Sequence, residues 1–216
     1  AGWVSLIQPD WQECMSSYVT EEVIAQRNRF DMVYPIVRRS DGAERWVHGM
    51  GGLELDRESR PLRLIGTIRD ITERKVASDA LQESEAKFKA LFESARVAII
   101  LMDRQTFLDC NPHAEQLFAC AKSDLVGHSP VDFSPLRQPD GHPSAERAAQ
   151  YIDAALDGTP QFFEWSHLRL DGTQFDCEVS LNRVDVRDAM RLQAVVRDIT
   201  ARKQAEADLR LQGAAL

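Results

Sequence analysis

Residues 66–75, Gly-Thr-Ile-Arg-Asp-Ile-Thr-Glu-Arg-Lys, return at residues 194–203 as Ala-Val-Val-Arg-Asp-Ile-Thr-Ala-Arg-Lys, 128 positions later. Apolar, β-prone residues precede each Asp-Ile-Thr, and good helix formers follow it, so each copy predicts a strand that turns directly into a helix. Thr72 and Thr200 occupy the place of a helix N-cap, where a hydroxyl accepts a hydrogen bond from the first helical turn. Asp70 and Asp198 lie where a carboxylate can pair with an arginine and favour the helix dipole. We therefore expect these four residues to belong to two stiff joints that relay movement.

The repeat also divides the chain. We expect residues 1–75 to be the later part of a first domain, residues 76–93 a connecting helix, residues 84–203 a complete second domain, and residues 204–216 the start of another connecting helix. A period this long indicates a tandem array of domains. Because the first copy begins partway through the repeat and the chain lacks an initiator Met, we expect a piece of a longer protein.

Composition narrows the classes of function. Hydrophobic residues make up 44% of the 216 residues and charged residues 28%, as in ordinary globular proteins. The net charge of -8 offers no basic patch for nucleic acid or an anionic membrane. The longest apolar run, residues 97–102, is far too short to cross a bilayer. We expect a cytoplasmic segment without direct contact to membrane or nucleic acid, and four reduced cysteines, since they form no CxxC pair.

Hydrophobic periodicity in the second domain predicts two strands, several helices and then three antiparallel strands. The strands are expected at residues 97–103, 107–110, 161–170, 173–182 and 191–197, with a turn at Arg187-Asp188, and the helices at residues 112–119, 123–126 and 144–156.

The connecting helix, from Thr72 to about Glu93, places Leu81, Phe88 and Phe92 close to one face. Such an apolar stripe packs either on its own domain's sheet or against the same stripe of a second copy in a parallel dimer, and both alternatives stay open.

These features together resemble PAS domains with their C-terminal PAC segment. The resemblance depends on the order of elements, the Asn111-Pro112-His113-Ala114-Glu115 helix start, Asp124-Leu125-Val126-Gly127, the Asp171-Gly172 hairpin and the terminal Asp-Ile-Thr. Residues 84–203 match a whole domain; residues 1–75 look like the later part of another, although Gln8 and Trp11 depart from the family pattern. The resemblance implies an α+β PAS fold, a five-stranded antiparallel sheet with flanking helices, in tandem with a truncated copy joined by a long helix.

The resemblance also implies a function. PAS domains serve as sensory and dimerising modules of multidomain bacterial signalling proteins, so we expect a homodimer that relays a cue to an output domain in the same chain, a histidine kinase. A spacer without a ligand upstream of a diguanylate cyclase or phosphodiesterase is an alternative. Since the chain carries no phosphate-binding loop, nucleophile elbow or metalloprotease motif, we expect no enzymatic activity in this segment.

A PAS domain implies a cleft, which a small-molecule ligand can occupy. Its candidate lining residues are Leu117, Leu125, Phe133, Ile152, Leu156, Trp165, Cys177 and Val179.

Cofactor motifs depart from the family patterns. The oxygen-sensing haem class carries its ligand His on the long helix, which here has Tyr151 and no His; His142 and His167 flank it. The photoreactive flavin class needs a Cys after an Asn, whereas Cys110 precedes Asn111. We expect no cofactor, with a flavin beside Trp165 or a haem as the alternative of a redox or gas sensor. Cys110, His113 and Cys120 lack the fourth ligand of a structural zinc site, so we expect no metal.

Overall fold

Two antiparallel sheets, each ending in an Asp-Ile-Thr segment, organise the chain. The computed structural model describes residues 3–186 and 189–213, with side chains as far as residue 210. It divides into two units, Ala1–Ala86 and Lys87–Leu216. No helix among these described residues is both long and apolar enough to span a membrane.

The first unit consists of a three-stranded sheet and short helices. Its elements are a 3-10 helix (Trp3–Leu6), α1 (Pro9–Tyr18), a π-helical segment (Val19–Ala25), β1 (Phe30–Val37), β2 (Glu44–Leu55) and β3 (Pro61–Asp70). The strand order is β1-β2-β3. Its small core contains Ile7, Met15, Val23, Phe30, Tyr34 and Val47. Strand β3 is almost entirely exposed, because within the described residues it pairs with β2 and no helix covers its side chains.

The second unit has the five-stranded sheet that the sequence predicts. Its elements are β4 (Ala98–Met102), β5 (Phe107–Cys110), α3 (Pro112–Phe118), α4 (Lys122–Leu125), α5 (Ser144–Leu156), β6 (Gln161–Leu168), β7 (Gln174–Val186), β8 (Ala189–Asp198) and α6 (Thr200–Gly213). The strand order is β5-β4-β8-β7-β6. All predicted strands and helices of this unit are confirmed within a few residues, although β7 runs further, to Val186. The turn predicted at Arg187-Asp188 lies outside the described residues.

Asn111 explains why α3 starts where it does. Its side-chain Oδ1 accepts hydrogen bonds from the backbone N–H of Ala114, at 3.1 Å, and of Ile99, at 3.0 Å. Its Nδ2 donates to the carbonyls of Val97 and Phe92. The fully buried Asn111 therefore caps α3 and holds the segment that leads into β4. Both of its side-chain polar atoms have hydrogen-bond partners, as buried polar groups normally do.

Helix α2 (Thr72–Ser94) joins the sequences of the two units and keeps most of its apolar side chains exposed, whereas Phe92 is half-buried. Leu81 is 60% exposed and Phe88 69% exposed, so neither packs on a sheet of its own chain. Phe88 stacks on Phe92 with ring centroids 5.8 Å apart. In α6, Leu209 is exposed in the same way. Residues 214–216, the last of the predicted second connecting helix, lie outside the described residues.

Candidate functional site: a core cavity and the joint beside it

The second unit contains an apolar cavity of about 50 Å³ between the sheet and α5. Side chains alternate along a strand, and the lining residues on each of β4, β6, β7 and β8 are accordingly spaced two apart. Strands β4, β7 and β8 line it with Ile100, Met102, Val179, Leu181, Ala194 and Val196. The rest of the lining comes from β5, the loop before α5, α5 and β6: Phe107, Pro130, Ala148, Tyr151, Ile152, Phe163, Trp165 and His167.

The predicted cleft residues separate into two groups. Ile152, Trp165 and Val179 line the cavity. The other five do not line it: Leu117, Leu125, Phe133 and Cys177 are buried in the core, and Leu156 packs partly buried against the core. These side chains fill the space under α3 and α4 or at the end of α5, so they leave no gap beside themselves.

Several lining residues were missed by the sequence analysis. Phe163 and His167 flank Trp165 at a spacing of two on β6, and Leu181 follows Val179 at the same spacing on β7. The strand period alone would have placed them on the cavity's face.

Trp165 and the segment before α5 are held by a buried polar cluster. The indole Nε1 of Trp165 donates to Ser134 Oγ at 3.0 Å. Gln138 Oε1 accepts a hydrogen bond from the backbone N–H of Ser166 at 2.8 Å, and Gln138 Nε2 donates one to Ser144 Oγ at 2.9 Å. Because these groups satisfy one another, the cluster fixes α5 and its leading loop against β6.

His167 is buried against aromatic rings rather than solvated. Its imidazole lies edge-on to Phe118, with centroids 5.1 Å apart, and also contacts Phe175. Nδ1 lies 2.8 Å from the carbonyl of Phe133, and because a carbonyl can only accept, Nδ1 carries the proton. Burial lowers the pKa of His167 to about 4, so the ring is neutral near pH 7.

At the edge of the cavity, Tyr151 of α5 stacks on Phe163 of β6, with centroids 3.7 Å apart and ring planes 5° apart. Trp165 meets both rings edge-on. These contacts close the lining between α5 and β6.

The cavity does not fit the large cofactors known for this architecture. Ligand pockets for cofactor-sized molecules measure roughly 300–1,000 Å³, several times the volume found here. Flavin or haem would require repacking of the aromatic rings around Trp165. Among the described residues, no three His, Cys, Asp or Glu side chains are grouped to hold a metal ion. Burial raises the pKa of the Cys110 thiol to about 11, so it stays protonated and is a poor ligand.

Strand β8 connects the cavity to α6. Ala194 and Val196 line the cavity, and Asp198 follows two residues later. Asp198 Oδ2 pairs with Arg169 Nη2 at 3.2 Å, and its Oδ1 accepts the backbone N–H of Thr200 at 2.8 Å. The predicted pairing of this carboxylate with an arginine is therefore seen.

The predicted capping role of Thr72 and Thr200 was wrong in its geometry. Thr200 is the first residue of α6, and its hydroxyl oxygen accepts the N–H of Asp176 on the neighbouring strand β7 at 3.1 Å. Ile199 occupies the capping position, with its carbonyl accepting the N–H of Lys203. The hydroxyl thus ties the start of the helix to the sheet, because an adjacent strand offers it a partner that local sequence does not reveal.

The joint of the first unit has the same hydrogen bonds. Thr72 Oγ1 accepts the N–H of Trp46 on β2 at 2.9 Å, and Asp70 Oδ1 accepts the N–H of Thr72 at 2.9 Å. Hydrogen bonds from Thr72 lower the pKa of Asp70. Arg45 lies 3.8 Å from the Asp70 carboxylate.

Two basic residues add charge contacts between α6 and the sheet. Arg202 pairs with Glu178 of β7 at 2.8 Å. Lys203 pairs with Glu164 of β6 at 2.8 Å, next to Trp165, and lies 3.5 Å from Asp176. In the first unit, Lys75 instead lies over the Trp46 ring, 5.5 Å from its centroid.

Comparison with known proteins identifies the family of this architecture. The family model described as "PAS fold" matches residues 92–204, more than half of the chain. Sensor protein FixL of Bradyrhizobium diazoefficiens is 24% identical over 209 residues, which cover 96% of this chain and 41% of FixL. Sporulation kinase E of Bacillus subtilis is 27% identical over 144 residues, 66% of this chain and 18% of the kinase.

The chain thus spans less than half the length of these curated relatives. Among solved structures, the PAS domain of an HTR-like protein from Haloarcula marismortui is 25% identical, with a TM-score of 0.50, over 58% of this chain and 99% of that domain. The five-stranded sheet, the helices on one face of it and the family match agree, and the chain belongs to the PAS family.

Proposed function

We propose that this chain is a sensory and dimerising segment of a multidomain bacterial signalling protein, located in the cytoplasm and without catalytic activity of its own. A cue in the second unit shifts β8 and tilts or rotates α6, which passes the change to an output domain of the histidine kinase class. The observation that carries the proposal is the course of β8: one strand lines the cavity with Ala194 and Val196 and then enters the joint at Asp198.

In this proposal the first unit is the later part of a first PAS domain, which precedes the complete one. Two observations support it. The hydrogen bonds of Asp70 and Thr72 repeat those of Asp198 and Thr200, and the likeness to the sensor protein FixL runs over 96% of the chain, so it includes both units.

Dimerisation is supported by α2. Ala77, Leu81, Ser84, Phe88 and Leu91 follow one another at alternating spacings of four and three, the pattern of a coiled-coil seam. Leu81, Phe88 and Leu91 are each exposed by 60% or more, which leaves them free for a second copy. A parallel pairing of α2 would bury this stripe and align both copies for a common output.

A shift between two packings needs little energy. A difference of about 1.4 kcal/mol in how a ligand interacts with two states changes their ratio tenfold. The Asp198–Arg169 pair and the Thr200 hydroxyl bond are interactions of this size, so a displacement of β8 that weakens them suffices to reposition α6.

The test is Asp198→Ala in the full-length protein. We expect a change in basal output or in its response to the cue, together with faster amide exchange in the first turns of α6. Asp208→Ala, on the exposed side of α6, is the matched control and should leave both unaltered. Unchanged output, response and exchange in Asp198→Ala would refute the relay.

The small volume of the cavity favours a second candidate, a spacer without a ligand that serves dimerisation upstream of a diguanylate cyclase or phosphodiesterase. Filling the cavity with Ala194→Leu distinguishes the two. A sensor loses its response to the cue, whereas a spacer keeps it. An absorption spectrum of the purified chain after incubation with flavin or haem tests the redox or gas sensor, which requires a flavin or Soret band.

A further inference from the structure

A second line of polar contacts reaches α6 from β6, the strand that carries Trp165. The two neighbours of Trp165 on this strand, Glu164 and Ser166, lie cross-strand from Glu178 and Asp176 of β7. Because side chains alternate along a strand, both neighbours lie on the face of β6 opposite to the one on which Trp165 lines the cavity. Ser166 Oγ donates a hydrogen bond to Asp176 Oδ1 at 2.5 Å, which joins β6 to β7 through their side chains.

Lys203, in the first turn of α6, contacts both strands. Its Nζ lies 2.8 Å from Glu164 Oε2 and 3.5 Å from Asp176 Oδ2. The hydrogen bond to Glu164 raises the pKa of Lys203, so the ammonium group is charged near pH 7. Asp176 thus accepts from Ser166 through one oxygen and faces Lys203 through the other. These four side chains, Glu164, Ser166, Asp176 and Lys203, form what we call the polar bridge, and they connect both neighbours of Trp165 to α6.

One end of the polar bridge is fixed inside the protein. Ser166 is fully buried, and its N–H donates to Gln138 Oε1 at 2.8 Å. Gln138 Nε2 donates in turn to the hydroxyl of Ser144, the first residue of α5. At the other end, Lys203 and Glu164 are partly exposed, so solvent weakens their attraction. The buried half is rigid because its hydrogen bonds satisfy one another, and the exposed ion pair completes the connection to the helix.

The joint of the first unit lacks this bridge, although its threonine accepts the same kind of hydrogen bond. Trp46 and Asp176 each donate their backbone N–H to the threonine of their own joint, so the two positions correspond. The cross-strand partner of Trp46 is Pro35, which has no hydrogen-bonding side chain, whereas that of Asp176 is Ser166. Lys75 lies over the Trp46 ring and reaches no carboxylate of the sheet among the described residues. The bridge is therefore an addition to the second joint.

We infer that the polar bridge is a second input to α6, in which Lys203 positions the first turn of the helix according to the position of Trp165. A displacement of Trp165 moves Glu164 and Ser166 with it, because the three residues share one strand backbone. Asp176 and Lys203 carry that displacement to α6 without passing through β8. This inference rests on the proposed function, since it adds a route to the same relay, and Lys203 acts in it as a positioning residue.

The test compares two perturbations of the cavity wall in the complete 216-residue chain. Trp165→Phe removes the indole N–H that donates to Ser134 and so alters the wall on β6. Val196→Ala alters the wall on β8. Hydrogen exchange of the backbone amides of residues 203–207 reports how firmly the start of α6 is held.

Each perturbation is introduced into the unaltered chain and into a chain without the polar bridge, which carries Ser166→Ala and Lys203→Gln. We expect Trp165→Phe to change the exchange rates about three- to tenfold in the unaltered chain and less than about twofold without the bridge. Val196→Ala should act equally in both chains. The inference is overturned if Trp165→Phe has no effect in the unaltered chain, if its effect persists without the bridge, or if the effect of Val196→Ala disappears as well.

Two further variants serve as controls. Arg210→Gln also removes one positive charge from α6, at an exposed position outside the bridge, and should leave the response to Trp165→Phe intact. Ser134→Ala removes the partner of the Trp165 indole and keeps the ring, so it replaces Trp165→Phe in the same comparison if that variant does not fold.

The two proposals fail separately. If Asp198→Ala leaves output, response and exchange unchanged while the effect of Trp165→Phe on α6 depends on the bridge, the relay through β8 is refuted and the bridge stands. If Asp198→Ala alters output while the effect of Trp165→Phe persists without the bridge, the relay through β8 stands and the bridge is refuted.

Discussion

Lowering the pH from about 7.5 to about 5 should destabilise the second unit through His167, which is buried and neutral. The folded pKa is about 4, well below the ordinary value of 6.5 that applies in the unfolded chain. As the pH falls, the unfolded chain takes up a proton first, so stability is complete above about pH 6.5 and is lost as the pH approaches 4.

The expected magnitude follows from these two values. Linkage converts them into a loss of about 2 kcal/mol between about pH 7.5 and about pH 5, and about 3 kcal/mol below pH 4. The surface carboxylates with lowered pKa values, such as Asp103 and Asp171, lose their contributions only at lower pH. The interval from about pH 7.5 to about pH 5 therefore reports mainly on the histidine.

Urea unfolding followed by fluorine NMR of 5-fluorotryptophan measures the effect. Trp165 is the tryptophan of the second unit, whereas Trp3, Trp11 and Trp46 lie in the first, so its signal reports the relevant transition. The free energy of unfolding should fall with pH in the unaltered chain and should be flat over the same interval in His167→Phe. Equal slopes in both chains would refute the assignment of a buried, neutral imidazole.

Three further results are expected. Thr200→Val removes the acceptor of the Asp176 N–H and should cost about 1–2 kcal/mol in unfolding and speed exchange in α6, whereas Thr200→Ser should not; equal stabilities would contradict the tie to β7. Ile152→Ala enlarges the cavity and should cost about 2–4 kcal/mol by urea unfolding; a loss under about 1 kcal/mol would mean that Ile152 does not pack as described. Leu81→Glu with Phe88→Glu should convert a dimer into a monomer in sedimentation, and a monomeric parent chain would refute the seam.

The two strand-to-helix joints show which structural features local sequence patterns predict and which they do not. Asp-Ile-Thr correctly predicted the change from strand to helix at residue 72 and residue 200, because apolar β-prone runs and helix formers act through neighbours in sequence. The partner of the threonine hydroxyl was not predictable in this way. It lies on β7, whose Asp176 is 24 residues away in the chain, and strand pairing brings it there.

His167 shows which features of a cavity-lining residue the sequence does not predict. Its position on a strand was predictable, and so was the face it shares with Phe163 and Trp165. Its burial among Phe118 and Phe175 was not, since those rings come from α3 and β7.

The order of strands and helices, the repeat, the two strand-to-helix joints and the resemblance to PAS domains all follow from the amino-acid sequence, because they depend on hydrophobic period, propensity and motif spacing. The tertiary structure decided which buried residues border free space. Leu117, Leu125, Phe133 and Cys177 are as buried as Ile152 and Val179, yet only the latter two face the cavity. Burial follows from hydrophobicity, whereas a cavity is the space that close packing of residues distant in sequence fails to fill.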